Sequence, residues 1–207
     1  MNGKIRAVIF DYGGVISMPQ QHDVIYDWAA SHANLSESEI LAGYRNHRVG
    51  FDRGDYSGEE MYRMIYRDLG KPCDDATLVE LTRRDMESWG VPNPETYAWA
   101  KELKSAGYLV GILTNMPLTF IPWFNRAAAD FRALADAEVI SAQVRLAKPY
   151  PEIYQLMIQR LNVNGHECIF FDDLPQNVDG ARAAGMNSEV FTSVAAAKTE
   201  LAKYEGR

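Results

Sequence analysis

Three short apolar runs, residues 6–10, 108–113 and 168–171, set the first limit on what this chain can fold into. Each is nearly continuously apolar, is bounded by polar residues and is followed by a turn signal. That is the pattern of a parallel strand buried on both faces. Residues 138–140 and 188–191 are weaker strand candidates. Helical patterns over 94–105, 151–161 and 175–184 lie between them. Gly107 and Gly185 fall just beyond two helix ends, where a left-handed cap is wanted. Strands alternating with helices of this length predict βαβ units, and so an α/β fold built on a doubly wound, Rossmann-like parallel sheet.

The stretch 18–89 breaks that alternation. Amphipathic helical patterns cover 23–33, 36–47, 58–69 and 75–89, with no convincing strand among them. Ser36 followed by Glu39, with Leu35 just before, reads as a capped helix start. The expected organisation is an α/β core of residues 1–17 and 90–207, with a helical cap of residues 18–89 inserted after the first strand. An insertion at that point lies above the carboxyl ends of the strands, where ligands bind in open α/β sheets, and reads as a lid.

Composition narrows the partners. Apolar residues make up 47% of the 207 and charged residues 24%, the balance of a folded globular protein. A net charge of -7 argues against a general nucleic-acid binder, because nothing would offset repulsion from the phosphates. A small anionic substrate stays open, since a bound cation and one or two lysines reverse the field locally. Cys73 and Cys168 are the two cysteines; Cys168 sits in a strand-like run, where a small buried thiol is commoner than a bridge. The first ten residues have no long apolar core and run straight into a strand, unlike a signal peptide. No run approaches the ~20 apolar residues that cross a bilayer. The expectation is a cytoplasmic protein with no membrane partner.

The chemistry lies at the strand ends. The first strand ends in Asp11, the second in Thr114 and Asn115, the last in Asp172 and Asp173, while Lys148 lies in a loop before a helix, followed by Pro149. Taken singly, Asp11 is a helix cap, Thr114-Asn115 a turn and Lys148 a surface lysine. In a parallel sheet, however, these ends share one edge. Three carboxylates that close cannot all stay ionised without a cation between them, and an oxygen-only set favours magnesium. Phosphoryl transfer asks mainly for positioning and charge neutralisation. Asp11 suits the nucleophile, forming an acyl phosphate. Lys148 and the metal would screen its approach to an anionic phosphate ester. Thr114 and the amides after Asp11 would donate to phosphate oxygens, and Gly13-Gly14 lets the backbone close around that group.

Phe10-Asp11-Tyr12-Gly13-Gly14-Val15, then Leu113-Thr114-Asn115, Lys148-Pro149 and Phe171-Asp172-Asp173, in that order, resemble the haloacid-dehalogenase-like hydrolase superfamily. The run from Asn177 to Gly185 adds to the match, which covers almost the whole chain. Within the superfamily the chain is most similar to the branch of bacterial alpha-D-glucose 1-phosphate phosphatases; Arg53-Gly54-Asp55-Tyr56-Ser57 is part of that likeness. The resemblance implies that Asp11 is the nucleophile and a magnesium ligand, and that Thr114 and Lys148 hold the phosphate. It also implies Asp173 as the direct acidic ligand, Asp172 as a ligand through water, and the carbonyl of Gly13 as the remaining protein ligand.

One position departs from the superfamily's phosphatases, which carry a second aspartate two residues after the nucleophile as general acid and base. Here that residue is Gly13, as it is in the glucose 1-phosphate branch. Two remedies are open. An anomeric hydroxyl is more acidic than an ordinary alcohol and needs less proton assistance as a leaving group; alternatively a cap residue, His22, His47 or Asp52, supplies the proton. Two other functions compete. A dehalogenase would direct Asp11 at carbon, though it gains little from the acidic pair Asp172-Asp173. A weak phospholigand-binding module would explain Gly13, but not a carboxylate aimed at phosphorus. His22, His32, His47 and His166 show no metal-ligand spacing and read as surface or cap residues. Phe120, Trp123 and Phe124 read as core or lid contacts.

Overall fold

The protein is described by a computed structural model over residues 4–206. Strand β1 (Ala7–Phe10) is wholly buried; four successive apolar side chains leave it no polar face, so it is stable only at the centre of a covered sheet. A tight turn follows, and the chain enters a helical stretch. A π-turn over Asp23–Asp27 runs into α1 (Trp28–His32), which is followed by α2 (Glu37–Asp52), α3 (Gly58–Asp68) and α4 (Asp75–Ser88). Ser36 and Ser57 each close a capping box, with Glu39 and Glu60, and Asp74 accepts from the Thr77 N–H. Three helix starts are thus satisfied locally.

Helix α5 (Pro94–Ser105), capped by Asn93, leads to β2 (Leu109–Thr114). Short helices α6 (Ile121–Ala127) and α7 (Ala129–Arg132) precede β3 (Ala137–Ile140). Then come α8 (Ser141–Val144), α9 (Pro151–Leu161), β4 (Cys168–Asp172), α10 (Pro175–Ala183), β5 (Asn187–Val190) and α11 (Val194–Glu205).

The five strands form one parallel sheet in the order β3-β2-β1-β4-β5. Helices α5 and α11 cover one face, α9 and α10 the other. Alternate residues of β1 serve the two faces. Phe10 makes edge contacts with Trp99 and Phe131 at ring distances of 5.3 and 5.6 Å, while Ile9 joins Ile153, Met157 and Phe170 on the far side. The register sets Phe10 opposite Phe171, which brings Asp11 level with Asp172 one residue further on. The first apolar cluster continues from the sheet into α2–α4 through Ile40, Tyr62, Ile65, Leu78 and Leu81. Chain exit and return run side by side, for Ser17 bridges Pro92, Met18 donates to Val91 and Asn93 donates to Ile16.

The expected α/β fold with a doubly wound parallel sheet is the observed one, and the strands lie within a residue or two of their expected limits. The helix expected over 36–47 continues to Asp52, because Phe51 still reaches the core after the polar turn Arg45 to Arg48. Helix α11 was absent from the sequence reading. Its alanine-rich face buries little beyond Val194, Ala197 and Leu201, so its period is faint. Helices α6–α8 are too short to show a period at all. Both cysteines are free thiols. Among the described residues no helix is long and apolar enough to cross a membrane.

Candidate active site

The carboxyl ends of the central strands deliver the expected groups to one place. Asp11 follows β1, Thr114 ends β2, and Asp172 and Asp173 end and follow β4. Lys148 arrives from the loop before α9, and its position is fixed from the β2 side. The Asn115 side chain accepts from the Lys148 N–H at 2.8 Å and donates to the Lys148 carbonyl at 3.0 Å. The Lys148 ammonium then sits 2.8 Å from Asp11 Oδ1 and 2.6 Å from Asp172 Oδ2, and donates to the Leu113 carbonyl at 3.2 Å. Asp172 is saturated. It accepts from Leu174 N at 2.9 Å and from Asn177 Nδ2 at 3.0 Å, and the Asn177 carbonyl is itself held by Tyr154 Oη at 2.7 Å.

Burial gives these contacts their weight. Asp11, Asp172 and Lys148 are all buried, so unpaired charges would each cost several kcal/mol. Withdrawal from water raises the Asp11 pKa above the ordinary carboxylate range; Lys148 opposes that shift, while Asp172 and Asp173 reinforce it. Burial alone would lower the Lys148 value, but Asp11 and Asp172 outweigh it and hold the ammonium protonated. Asp173 is likewise raised, by partial desolvation and by Asp172. One ammonium therefore faces three carboxylates. Asp11, Asp172 and Asp173 can each offer an oxygen within 4.8 Å of the others, a hard donor set that fits magnesium. Asp172 already spends its oxygens on Lys148 and Asn177, whereas Asp173 faces the cavity.

The glycine turn is needed for two different reasons. Gly14 has φ +70°, and a Cβ there would lie 3.1 Å from Asp173 Oδ2, so any side chain would be strained and would crowd the acidic cluster. Gly13 has an ordinary φ of -66°, but a Cβ there would lie 3.1 Å from the Trp89 ring. A side chain at position 13 would start in close contact with an indole from the end of the helical stretch. The Trp89 carbonyl is held by the Tyr12 hydroxyl at 3.0 Å.

Above these groups lies a cavity of about 200 Å³. Helical residues Tyr44, Arg48, Phe51, Asp52 and Met86, together with Gln20 and Trp89, wall one side; Met116, Pro117 and Phe120 wall the other. A buried carboxylate behind the wall sets several of them. Asp85 accepts from the Tyr44 hydroxyl and from Gln20 Nε2 at 3.2 Å, and the Trp89 side chain bonds to it as well. Burial pushes Asp85 up to about 7, with the Trp89 contact opposing. Gln20 in turn accepts from Tyr26 Oη at 2.9 Å.

A family model described as haloacid dehalogenase-like hydrolase matches residues 5–185 of this chain, and so spans both the strand-end groups and the helices above them. The chain belongs to the haloacid dehalogenase-like hydrolases. It is 34% identical over 197 residues to the phosphatase MT3486 of Mycobacterium tuberculosis, covering 89% of this chain and 86% of that one. It is 26% identical over 201 residues to the sesquiterpene phosphatase astK of Aspergillus oryzae, covering 97% of both. The haloacid dehalogenase family enzyme BT-2542 of Bacteroides thetaiotaomicron superposes with a TM-score of 0.72 at 17% identity, over 93% of this chain and 96% of that one. That enzyme has also been solved with magnesium.

In this haloacid dehalogenase-like hydrolase Asp11, Thr114, Lys148, Asp172 and Asp173 come together as their strand-end positions led one to expect, and Gly13 and Gly14 form the turn beside them. Asn115 borders the same cavity, but its side chain is taken up in fixing Lys148. Of the three residues of the helical stretch expected as alternative proton donors, His22 is paired with Glu37 and His47 with Asp68, and neither lines the cavity; Asp52 does. Phe120 and Phe124 are buried against Tyr12, and Trp123 is half-buried against the same apolar cluster.

Arg48, Trp89, Asp85 and Gln20 escaped the sequence reading. Asp85 carried a legible signal, since it continues the buried stripe of Leu78, Leu81 and Thr82 on an otherwise amphipathic helix. Trp89 carried none, because its partner Gly13 lies 76 positions earlier in the chain.

Proposed function

We propose that this hydrolase is a magnesium-dependent phosphatase of a small phosphorylated metabolite, acting through an aspartyl phosphate on Asp11. In this reading residues 18–89 are a cap over the core formed by 1–17 and 90–207. The observation that carries it is the Lys148 ammonium set between Asp11 and Asp172, with Asp173 close by, at the floor of the cavity. A lone buried lysine balances only part of that negative charge, and the remaining oxygens form a site for a hard cation. Asp11, the Gly13 carbonyl and Asp173 would hold magnesium, with Asp172 acting through water and by anchoring Lys148. Bound there, magnesium offsets negative charge on the phosphoryl oxygens. Relatives named as phosphatases, and the structural relative solved with magnesium, support the same reading.

Asp11 attacks phosphorus through a carboxylate oxygen, and the bond from phosphorus to the leaving oxygen breaks. Lys148 and the Thr114 hydroxyl bind phosphoryl oxygens and keep the attack in line. Water then cleaves the acyl phosphate, which frees inorganic phosphate and regenerates Asp11. A sugar phosphate such as glucose 1-phosphate suits the cavity. Tyr44, Phe51 and Trp89 supply aromatic lining, while Arg48 and Asp52 offer polar groups to a substrate.

Phosphate release from sugar, nucleotide and aryl phosphates, with magnesium or with EDTA, tests the proposal. Turnover should require magnesium and disappear in Asp11→Asn. Release that survives the variant, or halide release from haloacids without metal, would overturn it.

A further inference from the structure

Gly13 leaves the leaving group without a proton donor from the nucleophile turn, and the Trp89 ring crowds the Cβ that a side chain there would need. The proton must come from elsewhere in the cavity. Three carboxylates line it: Asp11, Asp173 and Asp52. The proposed reaction already uses the first two, as nucleophile and metal ligand. Asp52, at the last turn of α2, is the lining carboxylate that takes no part as nucleophile or metal ligand.

We infer that Asp52 is the general acid and base of this enzyme, delivered from the helical segment in place of the absent side chain at position 13. The inference rests on the phosphatase reading above. Asp52 is buried, with its carboxylate held by Arg48 and its backbone carbonyl by Ser141. Arg48 Nε donates to Oδ2 at 3.1 Å, and the Asp52 carbonyl accepts from the Ser141 hydroxyl, which also accepts from Met116 N at 2.8 Å. The tie to Ser141 fixes the end of α2 to the sheet edge just past β3. Charge links it to the strand-end groups: Lys148 acts on Asp52, and Asp11 and Asp173 act on its partner Arg48. Burial raises the Asp52 pKa and outweighs Arg48 and Lys148, which favour the ionised form; the proton-carrying state is thereby accessible.

The step balances. As an Asp11 oxygen bonds to phosphorus, the leaving oxygen departs with its electron pair and takes the Asp52 proton, leaving Asp52 ionised. In the second half, Asp52 takes a proton from water as that water's oxygen bonds to phosphorus and the bond to Asp11 breaks. Inorganic phosphate leaves, and Asp52 is again neutral.

Leaving groups that need no proton expose the role. With magnesium present, single-turnover rates of phosphoryl transfer to the enzyme are compared for p-nitrophenyl phosphate and glucose 1-phosphate. Asp52→Asn should slow transfer from the sugar phosphate by about 100-fold or more. Release of the first equivalent of p-nitrophenol should stay within about fivefold of wild type, followed by slow turnover as the base is missing. A variant that slows both first steps equally, or neither, overturns the assignment. Should Asp52→Asn not fold, wild type alone decides across aryl phosphates of rising leaving-group pKa. A shallow decline in the first-step rate is expected, and a steep one refutes proton donation. Failure of the phosphatase reading would look different, with no magnesium-dependent turnover of any ester.

Discussion

Replacing Asp85 by asparagine should change how the protein's stability depends on pH, and by an amount the structure sets. Asp85 is fully buried, and burial raises its pKa from 3.8 to about 7. Between those values the folded state keeps a proton that the unfolded chain has released. Raising the pH therefore favours unfolding, and this group's contribution to stability is lost as the pH climbs through about 7. Integrated from pH 5 to pH 8, the loss is about 2.5 kcal/mol. Asparagine has the shape of the neutral acid and no proton to lose. Urea unfolding of wild type and Asp85→Asn should give free energies within about 1 kcal/mol of each other at pH 5. By pH 8 the variant should have gained about 2–3 kcal/mol on wild type. Because Asp11 and the other raised groups titrate in both proteins, the difference isolates Asp85. An equal gap between the two proteins at both pH values would refute the reasoning and show that Asp85 is ionised within the fold.

Gly13→Asp should not create a better phosphatase: with the Trp89 ring 3.1 Å from the new Cβ, it should cost about 1–3 kcal/mol of stability by thermal or urea unfolding. Combining it with Trp89→Ala should recover the part due to the clash, and a double variant no better than the sum of the single ones would deny the contact its role. Lys148→Met leaves Asp11 and Asp172 buried without their cation and should lower stability by about 3–5 kcal/mol in EDTA. Adding Asp172→Asn, or magnesium, should return part of that loss in the same unfolding curves.

Much of the site was legible because strand ends in a parallel sheet converge by topology. Once residues 6–10, 108–113 and 168–171 read as strands, Asp11, Thr114, Asp172 and Asp173 had to share an edge. The sequence also hinted at Lys148 through Pro149 and the helix beyond. What it left unsaid is pairing across distance. Nothing local reveals that Asn115 spends both ends of its amide on the Lys148 backbone, or that Asp172 serves Lys148 and Asn177. The helical wall was harder still. Its helices were visible, but which faces point into the cavity depends on how α2–α4 settle on the sheet, and amphipathic periodicity records only that one face is buried. Thus Asp52 appeared only as one candidate beside two histidines, and its place in the cavity wall and its contacts with Arg48 and Ser141 distinguish it.

The meeting of Gly13 with Trp89 bears on how such an enzyme diversifies. The groups at the strand ends are held mainly by one another, through Lys148, Asn115 and Asn177, and meet the helices above at Arg48, which shares charge with Asp11 and Asp173. The cavity walls come mainly from residues 20–89 and are tuned around Asp85. Side chains of the wall can therefore change without disturbing the hydrogen bonds that hold Lys148 and Asp172. The indole against the glycine is where wall and nucleophile turn are not independent. A side chain regained at position 13 would bring its Cβ to 3.1 Å from the ring at position 89, so the ring must shift or shrink to admit it.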